Sequence, residues 1–242
     1  MNSFASAQHT PNTSVALPFS RTCHRPPSVD DIYPQIFDAI LDQRFAPTRR
    51  FSEERLIERL GISRSVVRQV LARLSHQQIL ILRPNHQPQI AVPDLEHSRQ
   101  ILHARRLTET TLVRLACQQP RPEELKRLRG LIERQRQCVE RNQRGPSIRL
   151  SGEFHLQLAE MAGNAPLAHF LGSLVPLTSL ALAQRDAQAR FYCAWQQQAA
   201  MVDALERQDA AMAVTLISRH LDHLAEILLS PEPVAARNRI VG

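Results

Sequence analysis

One stretch, Gly61 to Leu74, limits what this chain can fold into more than any other. Read at helical period, Val67, Val70, Leu71 and Leu74 recur at i, i+3, i+4 and i+7 and form an apolar stripe. Arg64 and Arg68, four apart, project side by side from another face. Ser63 is placed to cap this helix, since its hydroxyl can accept from a free amide of the first turn. Upstream, Ser52 caps a shorter helix with Glu53 and Glu54 in its positive first turn and Leu56, Ile57 and Leu60 on its apolar side. Gly61 ends that helix by permitting left-handed backbone. A short helix, a glycine turn and a capped helix with arginines near its start make a helix-turn-helix. The second helix of such a unit lies in the major groove of DNA, with its N-terminal residues at base edges. Two arginines four apart are, taken alone, more often a solvated face, so the flanking sequence has to decide.

The flanks support the unit. Ile79-Leu80-Ile81-Leu82 and Gln89-Ile90-Ala91-Val92 are short apolar runs separated by Arg83-Pro84-Asn85-His86-Gln87-Pro88, which reads as strand, turn, strand. Helix-turn-helix plus hairpin is a winged helix-turn-helix. Ahead of it, Asp30 and Asp31 precede a helix from about Ile32 to Arg44, with Pro34 in its first turn and Ile36, Phe37, Ile40 and Leu41 on its buried side. Pro47 breaks the chain before the next helix. Residues 1–29, rich in Ser, Thr, Asn and Pro, read as a disordered tail. Arg21 and Arg25 give only slender support for a basic arm entering the minor groove.

Pro93-Asp94 reads as a domain boundary, and after it only helical periodicity is found. Ile101, Leu102, Arg105, Thr108, Leu112, Leu115 and Ala116 share one helix, ended by Gln119-Pro120. Leu125, Leu128, Leu131, Ile132 and Val139 mark a second, ended by Gly145-Pro146. Four more follow, over about 147–162, 166–184, 191–207 and 209–229. Six helices without strands make an all-α bundle. The expected fold class is therefore mostly α: a tail over 1–29, a winged helix-turn-helix over 30–93, an all-helical domain over 94–230 and a flexible tail over 231–242. With only 7 glycines in 242 residues, the composition favours helices.

A net charge of +7 suits a polyanionic partner, although the excess is not concentrated in the helix-turn-helix. Cys23, Cys117, Cys138 and Cys193 have no CxxC spacing and no disulfide pattern, which suits a reducing, cytoplasmic setting. No apolar run is read as approaching the ~18 residues of a membrane span, so no membrane partner is expected. The N-terminus lacks the charged and apolar regions of a secretory signal.

The run from Tyr33 to Pro93 resembles the DNA-binding domain of the GntR family of bacterial transcription regulators. The likeness is carried by Ser52-Glu53, Leu56, Leu60-Gly61-Ile62-Ser63-Arg64-Ser65, Val67-Arg68, Leu71, Arg73-Leu74 and Arg83-Pro84-Asn85. Thr48, Val66, Gln69 and Gln87 depart from that pattern; the last stands where the wing normally has Gly. The resemblance implies DNA contacts from Ser63, Arg64, Ser65, Arg68, Arg73 and the wing residue His86.

Residues 94–229 resemble the effector-binding FCD domain of the FadR subfamily, through Ala104-Arg105-Arg106-Leu107-Thr108-Glu109, Phe154-His155, Leu158-Ala159, Ala162-Gly163-Asn164, Asp209 and His220-Leu221. Helical spacing independently puts His155 and His220 on apolar, inward faces, where a single histidine is usually a satisfied core residue. Two on separate helices can instead share a polar pocket. Many domains of this type hold a divalent metal with an Asp and three His. Ser151 stands where the Asp would be and Gln198 where the middle His would be, which leaves His155 and His220 as the metal candidates. Serine and glutamine are neutral and poor ligands for Zn-class ions. No cofactor is therefore expected to be required, and Arg105, Ser151, His155, Gln198 and His220 are expected to line an effector pocket. Arg105 has two readings: partner of an anionic effector carboxylate, or half of an ion pair with Glu109 at i+4.

The expectation is a sequence-specific regulator, read as a repressor from family habit, acting as a homodimer on a palindromic double-stranded operator under a small anionic effector. A constitutive dimeric DNA-binding protein is the alternative. A helical metal-dependent enzyme built on His155 and His220 is the remote one, because no nucleophile, base and orienting group come together in the sequence.

Overall fold

The computed structural model describes residues 26–43, 52–185 and 194–230. Most of the N-terminal tail with Arg21 and Arg25, the break at Pro47, Thr48, Cys23, Cys193, the expected helix start at Phe191 and the tail from 231 lie outside the described residues. Helices dominate: α1 (Val29–Leu41), α2 (Glu53–Leu60), α3 (Arg64–His76), a hairpin of β1 (Leu80–Ile81) and β2 (Gln89–Ile90), then α4 (Leu95–Ala116), α5 (Pro122–Glu140), α6 (Arg144–Met161), α7 (Ala165–Gln184), α8 (Trp195–Glu206) and α9 (Ala210–Leu229).

Local rules set most boundaries. Ser52 accepts from the Arg55 amide and Ser63 from the Val66 amide, each satisfying an otherwise open donor and each contributing about 1 kcal/mol. Gly61 sits at φ 63° between the two helices, as its lack of a Cβ permits. Val67, Val70, Leu71 and Leu74 are buried together against α1 and α2. The hairpin is antiparallel, with Leu80 opposite Ile90 and Ile81 opposite Gln89. Its turn takes left-handed backbone at Asn85, φ 60°, a residue type that tolerates it. The turn therefore closes with Gln87 where the resembled family has Gly.

Three expectations need correction. α1 begins at Val29, not near Ile32, because Ser28 and Asp31 form a reciprocal capping box. Pro34 consequently sits in the second turn, where it forgoes only the bond to the solvent-exposed Asp30. Gly145-Pro146 does not end α5; that helix stops at Glu140, and the pair lies in the first turn of α6, where proline needs no amide. Finally, α7 has the length and charge-free composition of a membrane span, contrary to the reading of the apolar runs. Its position argues for a core helix: Leu171, Val175, Leu177 and Leu180 are buried, and it packs against α4, α6 and α1.

The head formed by α1–α3 and the hairpin is fused to the bundle of α4–α9. Ile101 of α4 and Leu177, Leu180 and Ala183 of α7 share one apolar cluster with the α1 and α3 core. Where α1 meets α6 the contact is polar. Asp42 accepts from the Gly145 amide at the start of α6, which has no cap of its own. A Cβ on Gly145 would stand 2.4 Å from the Asp38 carbonyl, so only glycine allows this approach. Arg144 donates to the carbonyls of Leu182 (3.1 Å), Ala183 (2.8 Å) and Arg185 (3.2 Å), binding the negative end of α7. Arg149 completes the junction, giving Nε to Asp38 at 2.7 Å and Nη1 to Glu153.

Candidate functional site

Two groups of side chains stand out, one on the head and one inside the bundle. On the head, the start of α3 presents Ser63, Arg64, Ser65 and Arg68 to solvent. Arg64 and Arg68 are about half to two-thirds exposed. Cationic side chains at the exposed N-terminus of a capped second helix have the geometry for base edges or phosphates. Across a cleft of about 290 Å³ from Arg68 lie Leu82, His86 and Gln87 of the hairpin. His86 Nδ1 lies 2.8 Å from the Pro84 carbonyl. Arg73 is not brought to this group. It lies in the last turn of α3, where it pairs with Asp30 at 2.9 Å and stacks 4.1 Å from the centre of the Tyr33 ring, packing α3 onto α1. Sequence reasoning missed Glu53 as a member: its carboxylate lies 2.9 Å from Arg68 Nε and 3.7 Å from Arg64 Nε. The sequence shows it only as a first-turn acid, because nothing local indicates which neighbour it meets.

The second group brings together all five residues singled out in the helical domain, from four helices. Arg105 (2% exposed) on α4 donates Nε to Glu109, 2.6 Å away and itself 1% exposed. Glu109 Oε2 meets His155 Nδ1 of α6 at 2.6 Å. His155 Nε2 faces His220 Nε2 of α9 at 3.0 Å, and His220 Nδ1 lies 3.2 Å from Gln197 Oε1 of α8. Beside this chain, Gln198 donates to the hydroxyl (3.1 Å) and carbonyl (3.3 Å) of Ser151. Glu109 is the member missed in assigning the pocket; the i+4 spacing from Arg105 was its signal, and the pair it allowed is formed.

The charge on Glu109 constrains the hydrogen bond made to it. Burial opposes ionisation of Glu109, but Arg105 and His155 outweigh it and pull its carboxyl down to about 2. His155 Nδ1 therefore donates to a carboxylate, and one hydrogen between the two facing Nε2 atoms satisfies both. Burial, then the neighbouring His155 and Arg105, pushes the His220 imidazole well below its usual range. Among the described residues, two buried polar atoms of this network have no partner: Arg105 Nη2 and Gln198 Oε1. An orphaned buried donor or acceptor costs about 1–3 kcal/mol, so a donor and an acceptor are left here for something else to meet.

The arrangement suits binding. The Ser151 hydroxyl takes its hydrogen bond from Gln198, and no base is set against it among the described contacts. The donors do not fit a Zn-class ion either. Such sites use three or four strong protein ligands. Here only two imidazoles face each other, Glu109 is committed to Arg105 and to the far nitrogen of His155, and the remaining groups are an amide and a hydroxyl.

Comparisons with known proteins agree with this division. The FCD domain family matches residues 100–223, and the gntR family of bacterial regulatory proteins matches residues 28–86. Among curated relatives, the Nta operon transcriptional regulator of Aminobacter aminovorans is 26% identical over 195 residues, covering 76% of this chain and 88% of that protein. The HTH-type transcriptional repressor NanR of Cronobacter sakazakii (strain ATCC BAA-894) is 28% identical, covering 71% and 73%. Among solved structures, E. coli McbR/YncC superposes with a TM-score of 0.67 at 19% identity over 83% of this chain and 96% of that one. A GntR transcriptional regulator from Rhodococcus sp. RHA1 gives 0.66 at 22% identity over 84% and 99%. At such identities these two likenesses speak for the fold alone.

Proposed function

We propose that this chain, which belongs to the gntR family of bacterial regulatory proteins and carries an FCD domain, is a cytoplasmic homodimeric repressor released from a palindromic operator by a small anionic metabolite. That it is a transcriptional regulator and not an enzyme follows from the family and its relatives. The repressor role is argued from NanR, whose name carries it.

The observation that carries effector control is the placement of residues on α6. Its first two turns hold the junction with α1, through Gly145 and Arg149. The next residues, Ser151 and His155, belong to the buried polar group. A ligand meeting Arg105 Nη2 and Gln198 Oε1 would displace His155 or Ser151, and the same rigid helix bears on the head. Coupling of this kind needs two states with different affinity for the ligand, which is what regulation of DNA binding requires. An anion is favoured because the unpartnered donor belongs to a guanidinium. The dimer is supported by exposed apolar side chains on two helices that pack side by side, Leu107 of α4 and Phe170 of α7.

One observation favours the second reading, a constitutive DNA-binding protein: Arg105, Glu109, His155 and His220 bond to one another in sequence, as a purely structural network would. A melting-temperature screen of small mono- and dicarboxylates separates the two, because a ligand bound only by the folded chain stabilises it by mass action. On the first reading at least one compound raises the melting temperature and loses its effect in Arg105→Met; a flat response throughout supports the second. The same preparation tests the proposal that no metal is needed. Elemental analysis of protein purified without chelator should give well under one metal per chain, and Ser151→Asp with Gln198→His should create metal binding. Stoichiometric metal in the unaltered chain would contradict this.

A further inference from the structure

Among the described residues, Glu53 is the carboxylate that ion-pairs with the two arginines at the start of α3. It is the first residue of α2, and its side chain is 21% exposed, against 56% and 63% for the side chains of Arg64 and Arg68. Arg68 Nε lies 2.9 Å from Glu53 Oε1, and Arg64 Nε lies 3.7 Å from the same oxygen. Both cations face the carboxylate through Nε, Arg68 by a hydrogen bond and Arg64 at ion-pair distance, which leaves the outer Nη1–Nη2 edge of each guanidinium, with its two parallel N–H groups, outside the contact with Glu53. Two like charges four apart on a helix repel, and a shared carboxylate removes that cost while restricting both side chains. A fixed anion just behind the reading surface also opposes indiscriminate approach of phosphates.

Resting on the DNA-binding reading above, we infer that Glu53 is a specificity-determining positioning residue. It aims Arg64 and Arg68 at base edges and withholds them from the phosphate backbone, giving up affinity for arbitrary DNA in exchange for discrimination. Freed of Glu53, the arginines reach phosphates by many rotamers. Sequence-independent binding then strengthens and depends more steeply on salt, because each added phosphate contact releases counterions. Specificity obtained by penalising wrong partners behaves in this way.

The test uses the full chain and an operator selected from random duplex DNA by the wild-type protein. Affinities for that operator and for a scrambled duplex are measured over a series of salt concentrations for wild type, Glu53→Gln and Glu54→Gln. Glu54 supplies a control, since it carries the same charge in the same first turn of α2. For Glu53→Gln the ratio of operator to scrambled affinity should fall on the order of tenfold, mainly by a gain in scrambled binding, with a steeper salt dependence. Glu54→Gln should leave the ratio within about twofold, and thermal unfolding should report whether either variant is folded. An unchanged ratio in Glu53→Gln, or an equal fall in both variants, overturns the role of Glu53 while leaving DNA recognition intact. A wild-type chain that enriches no sequence overturns both.

Discussion

Replacing Glu109 by alanine is expected to destabilise the chain by about 3–5 kcal/mol, the usual cost of stranding a buried charge. Two groups would lose their partner together. Arg105, 2% exposed, would keep its charge with no carboxylate to meet it and with Nη2 already unpaired. His155 Nδ1 would lose the acceptor 2.6 Å away, and with it the orientation that sets its other nitrogen against His220. Water cannot readily compensate where Arg105, Glu109, His155 and His220 are each at most 2% exposed. The pair itself need not be a net stabiliser, because desolvating two ions offsets most of their attraction. Removing both charges, as in Arg105→Met with Glu109→Leu, should therefore recover much of the loss. Urea unfolding followed by circular dichroism measures both. A Glu109→Ala cost under about 1 kcal/mol would mean that the network is not closed to water and would remove the physical basis for a built pocket.

Arg68→Ala should cost about 1–3 kcal/mol of operator affinity, with a comparable loss for Arg64→Ala, if each reads a guanine edge. Both side chains stand in the first turns of a capped α3 with their outer edges exposed. The contrast comes from Arg73, whose guanidinium is spent on Asp30 and the Tyr33 ring. Its replacement should lower stability through the α1–α3 contact and leave the operator preference intact. Operator affinity at fixed salt is the measurement, on duplexes selected by the full chain, which should carry inverted half-sites and take up one dimer each. Full affinity in both Arg64→Ala and Arg68→Ala would remove α3 as the reading helix.

What was legible in the sequence is what short-range chemistry decides. Ser52, Ser63 and Gly61 each act within four residues, and each appears where the pattern put it. The stripe of Val67, Val70, Leu71 and Leu74 needed only the helical period. The same locality explains the failures. Reading Asp30 and Asp31 as lying before α1 overlooked that Ser28 and Asp31 cap each other three residues apart. Gly145-Pro146 looked like a stop because the residue that accepts from the Gly145 amide, Asp42, is 103 positions away. The charge-free α7 escaped notice as span-like because its polar residues interrupt every long apolar run; only packing shows that it serves the core. In the buried group, inward faces located His155 and His220, and the i+4 spacing offered Glu109 to Arg105. That Glu109 also reaches His155, 46 residues on, and that His155 meets His220, 65 further, are facts of tertiary packing that no single-sequence period encodes.

Helix α6 carries residues of both the buried polar group and the contact with the head, and one measurement addresses that link directly. Operator affinity of the full chain is determined with and without the carboxylate that most raises its melting temperature. Repeating this in Arg149→Ala removes the bond that joins α6 to Asp38 of α1. The prediction is that ligand weakens operator binding of the wild type by about 5–150-fold, the range of a 1–3 kcal/mol coupling. In Arg149→Ala the ligand should still raise the melting temperature while the coupling shrinks. A ligand that stabilises the wild-type chain yet leaves its operator affinity unchanged would contradict the account, and would leave the helical domain as a dimerisation unit without control over the head.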